Sequence, residues 1–186
     1  AHKDKVDSLD KIPVIIFASK GQQAAQRIYL GVRHLFGYRE WPPLSKAKFL
    51  HSTIKNDSDL ERTVRELGIK KQEIRRYLIP YRILIDIKIN MPTGEDFWVL
   101  GESLSRSGIK EYIELEIDAR SMKVRGVNKN KLNNLLDFIY GKLDSSKKQR
   151  DPSTKKVLDT RQLKDLATVL TAPKARAVFE RGADLD

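Results

Sequence analysis

The chain has no cysteine, which excludes a disulfide framework and any thiolate metal site. Histidine is scarce as well. His2, His34 and His51 lie far apart in the sequence, which argues against a histidine-built zinc site. No apolar run approaches the roughly 20 residues that span a bilayer, and no signal peptide is visible. A soluble, cytoplasmic chain without a membrane partner is expected. Phosphate-binding glycine loops, glycine-rich dinucleotide motifs and a Ser/His/Asp grouping are also missing, so the common nucleotide-fold and hydrolase signatures have no support.

What the sequence has in excess is positive charge. Its 186 residues carry 36 Lys and Arg against 25 Asp and Glu, a formal charge of +11. The pI is near 9.8. A balance this basic favours a polyanionic partner, and nucleic acid is the usual one. The charge is blocked rather than spread. Residues 83–118 hold three cations against eight carboxylates, whereas residues 119–164 hold thirteen against four and residues 43–82 hold ten against five. Segregation of this kind points to a directed electrostatic face.

Along the chain, "KIPVIIFAS" (Lys11 to Ser19) is a short β-branched apolar run that reads as a buried strand. "KGQQAAQRIYLG" follows as a helix with Ala24, Ala25, Ile28 and Tyr29 on one side and Gly31 as its stop. After the break at "WPP", Leu44, Ala47, Leu50 and Ile54 recur at helical spacing. "MPTGED" is a turn-rich connection, and Phe97 to Arg106 looks helical. Beyond it Ile113, Leu115 and Ile117 alternate with Glu114, Glu116 and Asp118; the alternation suits a strand, but the Glu and Leu propensities favour a helix, which is the expectation here. "NKNKLNNLLDFIYGK" is a helix with Leu132, Leu135, Leu136 and Ile139 inward. "DSSKKQRDPSTKK" (Asp144 to Lys156) reads as a polar linker, and two short helices around Pro173 close the chain. The expected fold class is mainly α. A helix-turn-helix DNA-binding domain stands between a small α/β remnant at the N-terminus and a helical C-terminal half.

The stretch "SDLERTVRELGIKKQEIRRYLIPYRIL" (Ser58 to Leu84) carries the functional expectation. Ser58 with Glu61 fits a capping box, and Leu60, Val64 and Leu67 form an inward stripe. Gly68 supplies the left-handed residue that ends a helix. Ile69 plugs the turn, and Ile74, Tyr77 and Leu78 face a second helix, about 70–79, toward the first. Lys70, Lys71, Gln72, Arg75 and Arg76 are left on its outer side. Arg can grip guanine bidentately, Gln can do the same for adenine, and Lys neutralises phosphate. A rigid helix offering these residues suits the major groove of double-stranded DNA better than the deep, narrow groove of A-form RNA. Lys123, Arg125, Lys129 and Lys131 of the second basic block would add phosphate contacts.

In their order, "IPVIIF", "AAQRIYLGVRHLFGYREWPPLSKAKFL" and the helix-turn-helix after them resemble the ParB-like superfamily of partition proteins and their relatives. The resemblance covers about residues 11–90. It implies that residues 1–42 are the end of a ParB-like α/β domain and residues 43–90 a helix-turn-helix domain. A helical extension (91–143), a linker (144–156) and C-terminal helices (157–186) follow. It also implies a DNA-binding function in partition or transcription regulation, a homodimer, and association with the nucleoid. The family's glycine-and-arginine box would lie upstream of "KIPVIIF", and its Glu-Asn-x-x-Arg box is missing. No cofactor is therefore expected in this chain; CTP or another nucleotide would enter through an upstream domain, with Arg33, His34 and Arg39 as its phosphate contacts.

Two other readings stand beside this one. A ParB-like nucleotide-dependent enzyme or nuclease would need clustered carboxylates for a metal, and Glu114, Glu116 and Asp118, or Asp86 beside Lys88, are the candidates. A protein-interaction module would use the acidic 83–118 block, flanked by basic ones, as a self-association surface between subunits. No catalytic residue and no metal ligand is assigned.

Overall fold

A computed structural model describes residues 22–35, 41–86, 94–144 and 150–185, leaving aside the side chains of 94–96. The expected strand at Lys11–Ser19, together with Arg39 and Lys88, lies outside the described residues. The described chain is mainly helical, with one short β-hairpin.

Helix α1 runs Gln22–Leu35 and α2 Pro43–Thr53. Gly31 does not stop α1 as expected; it lies buried inside the helix. A Cβ there would stand 2.7 Å from Leu67 Cδ2, so the absent side chain makes room for the neighbouring helix. The double proline starts α2, because Pro43 occupies the first turn, where no amide donor is needed. Ala47, Leu50 and Ile54 are buried as their spacing predicts.

Helix α3 spans Asp57–Leu67, and its cap is Asn56 rather than Ser58. The Asn56 side chain accepts the Asp59 amide at 2.9 Å, and Asp59 reaches back to the Lys55 amide. Asn56, Asp57, Ser58 and Asp59 are all capping types, so composition alone does not choose among them. Gly68 ends α3 at φ 66°, in the left-handed conformation expected. Helix α4 runs Lys71–Asp86, one turn and more past the expected end, straight through Pro80. A proline inside a helix deprives the carbonyl four residues earlier of its donor. That carbonyl belongs to Arg76, and it is where helix α5 (Gly94–Ser103) arrives: a Cβ on Gly101 would lie 2.9 Å from Arg76 O. Helix α4 packs most extensively on α2 and also on α5.

The acidic segment departs from the helical expectation. Helix α6 covers only Ser107–Tyr112. Glu114 then takes a left-handed backbone, φ 54°, and β1 (Glu116–Ile117) pairs antiparallel with β2 (Val124–Gly126). The alternation of Leu115 and Ile117 with Glu114 and Glu116 outweighed helix propensity because a pairing strand lay a few residues downstream. Helix α7, Lys129–Tyr140, buries Leu132, Leu135, Leu136 and Ile139 as expected.

The described part of the expected linker is folded back on α7. The Arg150 guanidinium meets Asp137 at 2.5 Å and the Gly141 carbonyl at 2.7 Å, and the amides of Lys156 and Val157 share the Phe138 carbonyl. Helices α8 (Leu163–Thr171) and α9 (Pro173–Glu180) follow, and α8 lies against α6 closely enough that Gly108 approaches the Ala167 carbonyl. Buried side chains from Leu35 to Phe179 form one continuous cluster. Among the described residues no helix is long and apolar enough to cross a membrane.

Candidate nucleic-acid interface

The helix pair α3–α4 keeps its apolar side inward: Leu60, Ile69, Ile74, Tyr77 and Leu78 are buried, and Val64 and Leu67 half-buried. The five polar residues expected on the outer side, Lys70, Lys71, Gln72, Arg75 and Arg76, are all exposed. They are not equivalent. Lys71 is paired with Glu61 of α3 across the turn. Arg76 is held at 3.2 Å by Glu102 of α5, a carboxylate only 16% exposed, and its guanidinium lies 5.8 Å from the centre of the Trp98 ring. Lys70, Gln72 and Arg75 form no ion pair or side-chain hydrogen bond with the described residues. Gln72 and Arg75 stand three residues apart, which places them on neighbouring turns of one face.

Beside this face lies a cleft of about 580 Å³. Lys71, Gln72, Arg75 and Arg76 line one wall, Leu104 and Lys110 a second, and Ala119 and Met122 of the hairpin a third; no carboxylate is among its lining residues. Cations therefore converge there from α4 and α6. The hairpin is tied to α4 through Arg82, which is only 8% exposed. Arg82 donates to the Ser121 carbonyl at 2.7 Å and to the Ile54 carbonyl, at the end of α2, at 2.9 Å. Burial depresses the pKa of this guanidinium, and the two carbonyls answer the charge with directed acceptors.

The remaining expected phosphate contacts separate. Lys123, Arg125 and Lys129 are exposed. Arg125 is paired with Asp118, and Lys131 meets Glu114 at 2.6 Å and lies over the Tyr112 ring. Arg33 bonds the Tyr29 hydroxyl one turn back on α1. His34 stacks flat on Trp41, ring centres 4.7 Å apart. Neither belongs to the α4 cleft.

Two of the candidate carboxylates of a metal site, Glu114 and Asp118, are engaged elsewhere. Hydrogen bonds from Lys131 and Asn128 hold Glu114 below the usual carboxylate range. The Ser121 amide, then the Arg125 guanidinium and the Arg120 amide, hold Asp118 far below it. Glu116 stands on β1, opposite Gly126 of β2. Among the described residues no group of three or more His, Cys, Asp or Glu side chains could hold a metal ion.

Sequence reasoning missed Arg82, Lys110, Arg120 and the pair Glu102–Trp98. Arg120 was findable, because it stands in the basic run "ARSMKVR". Lys110, Glu102 and Trp98 reach the site only through the packing of α5 and α6. Compared with protein-family models, with curated proteins and with solved structures, the chain matches none.

Proposed function

We propose that this chain is a ParB-like DNA-binding protein that places the N-terminal half of α4 in the major groove of duplex DNA. One observation carries it. Lys70, Gln72 and Arg75 project from the start of the second helix of a helix-glycine-helix unit, without a side-chain partner among the described residues, on a chain with net charge +11. Their neighbours Lys71 and Arg76 are steadied by Glu61 and Glu102. That fixes the face while leaving the readers free. Arg75 and Gln72 carry base recognition in this proposal, and Lys70 neutralises phosphate. The ParB-like assignment draws on the order of α1 to α4, and it implies a homodimer on paired half-sites at the nucleoid in the cytoplasm.

The test is fluorescence anisotropy of a labelled duplex pool across a salt series, followed by site selection. Wild type is expected to bind with a steep negative salt slope, because each neutralised phosphate releases counterions. On a selected site Arg75→Ala should cost about 1–3 kcal/mol and relax preference at one base pair. No binding at low salt by wild type would end the proposal. Equal site preference by wild type and by the double variant Gln72→Ala/Arg75→Ala would remove α4 as the reading element.

A further inference from the structure

The hairpin that follows α6 has a turn with more order than a surface connection needs. Asp118 Oδ1 accepts the amides of Arg120 and Ser121, both at 2.9 Å, and its second oxygen takes Arg125. The Met122 amide returns to the Asp118 carbonyl at 2.8 Å. Met122 itself is fully buried, with φ 55°, and Arg82 of α4 grips the Ser121 carbonyl. The tip is thus pinned by a carboxylate, a buried side chain and a buried guanidinium. Between these pins Arg120 and Lys123 stand exposed, without an ion pair among the described residues. Ala119 and Met122 border the same cleft as Gln72 and Arg75, so the cationic turn sits alongside the free face of α4.

We propose that the turn 118–123 is a second nucleic-acid contact, at which Arg120 and Lys123 hold the phosphate backbone next to the groove that α4 enters. This rests on the DNA-binding reading above. Pinning serves such a role because long cationic side chains bind more tightly when the backbone carrying them is already ordered. Contacts to phosphate set register and orientation without reading sequence. Arg125 is spent on Asp118 and acts as a brace for the turn.

The experiment compares salt slopes on a random-sequence duplex for wild type and Arg120→Gln/Lys123→Gln. A charge-matched control, Lys174→Gln/Arg181→Gln, alters exposed residues at and just beyond α9, which packs on α8. At about 0.9 slope units per neutralised phosphate, the hairpin variant should lose about 2 units and bind every sequence more weakly, while the control keeps the wild-type slope. Arg120→Lys/Lys123→Arg should also keep it, which separates charge from fold. If the hairpin variant behaves like the control while wild type binds, this inference fails and the α4 reading survives. If wild type binds no duplex, both fall.

Discussion

Replacing Arg82 with Met tests the tie between α4, α2 and the hairpin. Methionine retains most of the aliphatic stem but removes both donors. The Ser121 and Ile54 carbonyls, at 2.7 and 2.9 Å from the guanidinium, then lose their partners. A hydrogen bond to a charged group contributes about 1.5–3 kcal/mol, so two give roughly 3–6 kcal/mol before offsets. Part returns, because the variant no longer buries a guanidinium whose ionised form burial disfavours. A net loss of about 2–4 kcal/mol is expected, small enough to leave most domains of about 5–15 kcal/mol folded. Urea unfolding followed by circular dichroism would measure it. Hydrogen exchange should localise it, with the Asp118 amide, which bonds the Lys123 carbonyl, losing more protection than amides of α8. Arg82→Lys should fall between, since one ammonium cannot copy the fork. A loss below about 0.5 kcal/mol, the usual range for surface changes, would refute the tie.

Two glycines should separate strain from clash. Gly141→Ala combines φ 89° with a Cβ placed 1.8 Å from the Asp151 carbonyl, and should lower stability by more than about 2 kcal/mol. Gly68→Ala has open space at φ 66° and should cost only about 1–2 kcal/mol, with Gly68→Asn recovering part; thermal melts that ranked them in reverse would contradict the packing of 150–157 on α7. The Asp118 carboxyl should titrate below a free aspartate of about 3.9 when followed by carboxyl carbon NMR. A depressed folded pKa means its stabilisation is present above that pH and is lost as pH falls through the folded value. An ordinary titration would show that the turn is not pinned by this side chain.

Helices α2, α3, α4 and α7 were legible because apolar residues at three- and four-residue spacing need only the chain's own period to declare a face. The glycine stop at Gly68 was legible for a similar reason: few other residues adopt its backbone cheaply. Where several residues could do the same local job, sequence chose wrongly: Ser58 was expected to cap α3, and Asn56 does. The acidic segment was misjudged because a strand forms only when a partner is near, and Val124–Gly126 as that partner is a matter of tertiary placement.

The outer face of α4 divides the same way. Spacing alone put Lys70, Lys71, Gln72, Arg75 and Arg76 together on the solvent side, since the opposite face was apolar. Which of them stay free was decided by α3 and α5, whose Glu61 and Glu102 engage Lys71 and Arg76. The cleft, the Arg82 tie and the pinned turn depend on residues far apart in sequence meeting through packing, as Arg82 and Ser121 do across 39 positions. Local sequence determined the faces of the helices, because periodicity is a short-range property. Tertiary structure alone decided which charges remain available to a partner, because an ion pair depends on distance in space and not along the chain.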